Sequence, residues 1–191
     1  MLLVLIGGGV WLLFASRPPI DLLEAQTLGP DEIRRVATRL LVHDDIDLRS
    51  AAARKLTEAG DSAVPVLVEL ALKHPDRILR IAVLEVLRVL DEERTVTVVE
   101  QLAIEDDAEL RRVAVDIAAR LSHRGARDVL VKALDDEDGG VLSTAAGACA
   151  SKGVRDAVPA LKQLLNHPSI SVRRHSARAL GRLTGKRYEV R

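Results

Sequence analysis

Residues 107–114 read DAELRRVA. Thirty-one residues upstream, 76–83 read DRILRIAV, and a further 31 upstream 45–52 read DIDLRSAA. Downstream at the same interval come DGGVLSTA at 138–145 and SISVRRHS at 169–176. Asp45, Asp76, Asp107, Asp138 and Ser169 head the five segments. All are residue types whose side-chain oxygen bonds the free N–H groups of a first helical turn. The column predicts a helix start in each of five units. Further along each unit, Leu56, Leu87, Ala118, Cys149 and Leu180 form an apolar column.

An upstream helix repeats in the same register. Val36, Leu67, Val98, Val129 and Ala160 form one column, and Ala37, Val68, Val99, Leu130 and Leu161 the next. Leu40, Ala71, Leu102, Ala133 and Leu164 form a third, and Leu41, Leu72, Ala103, Leu134 and Leu165 a fourth. Within one helix these positions fall at i, i+1, i+4 and i+5, a single α-helical stripe. Gly29, Gly60 and Gly153 recur between pairs, where left-handed residues are expected to end helices.

One helix pair cannot bury its stripe alone, whereas stacking the next pair does. The expected fold is all-α: a right-handed α-α superhelix of about five antiparallel helix pairs, with second helices lining the concave face. Composition fits thin layers filled by Leu, Val and Ala, because aromatics are only 2% while hydrophobic residues reach 48%. The 28 basic and 28 acidic side chains cancel, so no global field draws nucleic acid or an anionic membrane. The single cysteine excludes an intrachain disulfide.

The first segment, MLLVLIGGGVWLLFA over 1–15, has no charged side chain. It is expected to form an apolar N-terminal helix and to anchor the chain in a membrane over residues 1–17, with bilayer contact through 1–16. As a helix, about 16 residues reach about 24 Å, at the short end for a hydrocarbon core of about 30 Å. Trp11 and Phe14 suit the interface. A signal peptide and a buried solenoid helix are the rival readings, although a signal would want Lys or Arg before the apolar run. The expected localisation is a single-pass membrane protein, and Arg17 leans toward repeats on the cytoplasmic side. Residues 18–29, with Pro18 and Pro19, read as a linker, 30–185 as the repeat domain and 186–191 as a tail.

The pattern Asp-x-x-Leu/Val-Arg-x-x-Ala, seen from Asp107 to Ala114 and echoed from Ser169 to Ser176, resembles HEAT-like repeats. It looks most like the bacterial short form first named after phycobilisome lyases. Pro65 and Pro159, early in first helices, and the ending Ala179-Leu180-Gly181-Arg182-Leu183-Thr184-Gly185 match that family too. The resemblance covers residues 30–185. It implies a scaffold or adaptor whose concave face binds a protein partner, without catalysis of its own. The alternative it implies is an enzyme or cofactor-handling accessory protein, such as a chromophore lyase.

Similar repeats in deoxyhypusine hydroxylases hold two irons with His-Glu pairs. Here the five histidines precede Asp44, Pro75, Arg124, Pro168 and Ser176, so no such pair exists. No cofactor or metal is expected. A tetrapyrrole or a nucleic acid would want aromatic side chains, and outside the first segment only Tyr188 supplies one. Nucleic acid is not an expected partner.

The remaining constellations have two readings each. Arg49, Arg80, Arg111 and Arg173 either line the concave face for an acidic partner or form an internal ladder to the adjacent repeat. His74-Pro75 and His167-Pro168 read as helix endings, and the run 135–140, DDEDGG, as a turn lacking calcium-loop spacing. Cys149, in an apolar column, reads as an inert thiol rather than a nucleophile with His123 or His175. The fourth unit has Leu142 in place of the arginine, then Ser143-Thr144-Ala145-Ala146-Gly147-Ala148-Cys149-Ala150. These small side chains thin the helix into a notch. Either neighbours pack unusually close there, or Leu142, Ser143 and Ala146 form part of a partner site, or the layer is simply weaker.

Overall fold

A computed structural model describes residues 20–190. After a short helix α1 (Asp21–Glu24), the chain makes five helix pairs. These are α2 (Pro30–Leu40) with α3 (Ile46–Glu58), α4 (Val64–Lys73) with α5 (Arg77–Leu90), and α6 (Glu92–Leu102) with α7 (Ala108–Arg120). The last two are α8 (Gly125–Lys132) with α9 (Gly139–Lys152), and α10 (Val158–Gln163) with α11 (Ile170–Thr184). The fold is an α-helical solenoid in which first helices form one layer and second helices the other.

Cap chemistry fixes the second layer. Its helices start at 46, 77, 108, 139 and 170, each one residue after the predicted cap. The Asp45 carboxylate accepts from the Asp47 N–H at 2.8 Å, Asp76 from Ile78 at 2.8 Å, Asp107 from Glu109 at 2.9 Å and Asp138 from Gly140 at 2.8 Å. Ser169 holds the same extended backbone without a side-chain cap bond. The first layer is less regular. Proline lies in the first turn of α2, α4 and α10, where a missing N–H costs nothing. α8 and α10 have only 8 and 6 residues, and each runs on into a 3-10 turn.

Gly60 and Gly153 take left-handed backbone (φ 60° and 66°), as does Gly185 after α11. Gly29 corrects the glycine column: it is extended, with φ −78° and ψ 170°, and caps α2. No helix abuts Gly29 on its N-terminal side, since α1 stops at Glu24 and leaves none to terminate. The Gly29 N–H instead donates to Glu32 at 2.7 Å.

Leu56, Leu87, Ala118, Cys149 and Leu180 are all fully buried, so the second-layer column is one continuous core. Ala160 and Leu164, in the first helix of the last pair, are only partly buried, whereas their counterparts in the four other pairs are buried. Beyond α11, Tyr188 packs against the core and its hydroxyl meets Thr184 Oγ1 at 3.3 Å, covering part of that end.

The membrane localisation expected from the sequence is corrected here. Among the described residues no helix is long and apolar enough to cross a membrane. The longest, α11, has 15 residues and four arginines, against about 20 mostly apolar residues for a span. The expected anchor at 1–17, its bilayer contact through 1–16 and the apolar N-terminal helix all lie outside the described residues, as do Pro18 and Pro19.

Candidate functional site

The column of arginines lies against the turns between paired helices, and its two middle members also reach the next repeat. Arg49 donates to the carbonyls of His43 and Asp44 at 2.6 and 2.9 Å, and Arg173 to those of His167 and Pro168, both at 2.8 Å. Arg80 and Arg111 are buried and reach further. Arg80 donates to the Ala71 carbonyl at 2.7 Å and grips Glu105 through both terminal nitrogens. Arg111 takes Asp136 in a two-pronged contact at 2.9 and 3.0 Å, and donates to the carbonyls of Glu105 and Asp106. The Asp136 hydrogen bonds hold the Arg111 guanidinium above its usual pKa.

Each clamping carboxylate lies 25 residues after its arginine, in the following repeat's turn. The same step from Arg49 reaches His74, and from Leu142 it reaches His167. Both histidines serve their own turn: Nδ1 accepts from the N–H of Asp76 and of Ser169, each at 3.1 Å. The fourth unit thus lacks the arginine where the next turn lacks the carboxylate. Leu142 and Ala146 lie in the core, and Ser143 is half-buried with a hydroxyl that has no hydrogen-bond partner among the described residues.

Around the notch, second-layer helices close up. The backbones of α7 and α11 lie within 8 Å of α9 along much of its length, while α3 meets α5, and α5 meets α7, at few points. α8 and α10, in the first layer, barely approach each other. The stack therefore bends toward the second layer over its last repeats, which makes α7, α9 and α11 the concave side.

The exposed side of that layer changes character along the stack. On α5 and α7 charges are paired: Arg88 with Glu85, Arg112 with Glu109, and Arg120 with both Glu85 and Asp116. α9 and α11 carry no Asp or Glu. The outer row of α9 is Gly140, Ser143, Gly147 and Ser151, and a Cβ placed on Gly147 would meet nothing within 4 Å. On α11, Arg174, Arg178 and Arg182 are exposed at i, i+4 and i+8, with no ion-pair partner among the described residues. This row was missed in the sequence, although its spacing and the lack of acids in 139–152 and 170–184 are readable there.

The family described as HEAT repeats matches residues 33–116 and 128–188. The chain belongs to this family. No match is found among curated proteins. Among solved structures, one similar fold is the complex of CpcE and CpcF of phycocyanin lyase from a Nostoc species. Identity there is 23% and the TM-score 0.55, over 83% of this chain and 66% of that one. Another is a designed armadillo repeat protein in complex with the peptide (KR)4, at 19% identity and TM-score 0.53, over 86% of this chain and 91% of that one. YibA of E. coli aligns at 17% identity and TM-score 0.55, over 79% of this chain and 59% of that one. At these identities the likeness is one of fold, and the chain spans only part of the length of the lyase and YibA chains.

Within the HEAT stack the other reactive side chains have structural surroundings. Burial pushes the Cys149 thiol up to about 12. His175 Nδ1 lies 2.8 Å from the Ser171 carbonyl, and His123 Nδ1 accepts from the Gly125 N–H at 3.1 Å. In the acidic run, Asp136 holds Arg111 and Asp138 caps α9. Among the described residues no group of three or more His, Cys, Asp or Glu is placed to hold a metal ion.

Proposed function

We propose that this HEAT-repeat chain is a scaffold or adaptor that holds a protein partner on the concave surface of its second helices and performs no chemistry of its own. One observation supports the reading most directly. Cys149 lies in the core and the five histidines are engaged in turns or with their own helix, while the concave face of the last two repeats presents Arg174, Arg178 and Arg182 with no ion-pair partner among the described residues. Arg80 and Arg111 then act beneath that surface, setting how one repeat sits on the next, while Arg49 and Arg173 brace their own turns and Ser143 lies at its edge. Leu142 and Ala146 shape it from within by letting neighbours close on α9. A chromophore-handling role has only the fold likeness behind it.

Photo-crosslinking tests the proposal. A crosslinking amino acid at Ser151 on α9, in the second layer, should trap a discrete protein adduct in the native host. The same group at Gln163 on α10, in the first layer, should not. Equal labelling at both sites, or a pigment copurifying with the chain, would contradict it.

A further inference from the structure

We propose that the concave face of the last two repeats recognises an acidic, extended segment of a protein partner, with Arg174, Arg178 and Arg182 as its reading row. This rests on the scaffold reading and specifies the partner's chemistry. The chain has no net charge, yet these three guanidiniums are exposed on one side of one helix and no carboxylate belongs to α11 or to its neighbour α9. On α7 the equivalent row is paired within the fold, Arg112 with Glu109 and Arg120 with Glu85. On α3 the exposed Arg54 stands alone among the described residues, whereas α11 carries three exposed arginines in one row. Among the described residues no carboxylate forms an ion pair with this row, which leaves it open to an external anion.

Spacing selects the form of the anion. Residues four apart on a helix lie about 6 Å apart along its axis. Alternate side chains of an extended chain lie about 6.7 Å apart. Carboxylates at every second position of such a segment therefore meet the three arginines in turn, and guanidinium favours planar, two-pronged contact with carboxylate. The segment has room to lie down, because Gly140, Gly147 and Ser151 raise no wall on the adjoining face of α9. Nucleic acid would meet the cations, but this face offers it no aromatic platform for bases.

The test is fluorescence anisotropy with the full chain and a labelled twelve-residue peptide of alternating Glu and Ser, at low salt and again with added salt. Binding is expected, weakening as salt screens it. The triple reversal R174E/R178E/R182E should weaken it by more than about tenfold, while R174K/R178K/R182K should keep much of it. These positions are exposed, so an unchanged helical spectrum checks the fold of each variant. Failure of the wild type to bind, binding that survives the triple reversal, or equal affinity for a single-stranded oligonucleotide would overturn the proposal. If the Ser151 adduct persists in the triple reversal, the scaffold reading stands and the acidic-segment inference falls.

Discussion

The second-layer helices α3, α5 and α7 and the helices α7, α9 and α11 obey one register and one style of cap, yet they pack differently. In the first set the buried positions carry Leu84 and Val86 on α5 and Val115 and Ile117 on α7. A groove of about 390 Å³ remains between α3 and α5, lined in part by Ala53, Ala82, Val86 and Val89. In the second set the matching positions are Ala146, Ala148, Ala177 and Ala179, and the backbones close up. Interaxial distance follows side-chain size at the contact. A repeat protein can thus tune curvature through side-chain volume while its period stays constant. Here the more curved half also contains α9 and α11, two adjoining helices that carry no Asp or Glu.

The largest contrast to probe is chemical. Cys149 sits in the closed half with its pKa pushed from 9.0 to about 12, which leaves about a thousandfold less thiolate near neutrality than a free cysteine has. Thiol reagents should label it negligibly in the native protein and fully in urea. The raised pKa means that the folded state keeps a proton the unfolded state sheds. Stability from this group is present below pH 9 and falls as pH rises toward about 12. Ready labelling of native protein at pH 8 would mean that the closed half opens.

Asp136 joins the two halves through Arg111, and both side chains are 8% exposed. Asp136→Ala leaves a buried guanidinium with carbonyls and the exposed Glu137 carboxylate at 3.5 Å, and should cost about 3 kcal/mol in urea unfolding. A cost near zero would mean that the halves do not communicate through this clamp. Next in size, Ala146→Leu should destabilise by about 2 kcal/mol by overpacking, while Ala82→Leu beside the open groove should change stability by less than about 1 kcal/mol. Equal costs would erase the packing difference. The smallest effect has the opposite sign. Ser176 is fully buried with an unpartnered hydroxyl among the described residues, at the position held by Ala52, Ala114 and Ala145 in other repeats. Ser176→Ala should raise stability by about 1 kcal/mol, visible as a higher urea midpoint.

The second layer was readable because a cap leaves little choice of residue: Asp45, Asp76, Asp107, Asp138 and Ser169 each lie one residue before a helix. First-helix ends were less readable, since α8 and α10 finish as 3-10 turns whose local pattern differs little from a helix. Gly29 was misplaced because glycine suits both a left-handed ending and an extended cap. A run of alanines looks the same whether solvent or a neighbouring backbone covers it, so the sequence left open the closure around Ala146. Arg174, Arg178 and Arg182 belong to three different columns, and comparison at the 31-residue period passes over a row that runs along one helix.

Arg54 and Arg178 occupy the same position in the first and fifth repeats, and both are exposed. The decisive measurement is the yield of the Ser151 photo-adduct in the native host after reversing each charge in turn. Arg178→Glu should cut the yield about tenfold and Arg54→Glu should leave it within about twofold. Equal loss from both reversals, or no loss from either, would contradict a partner site on the concave face of the last two repeats.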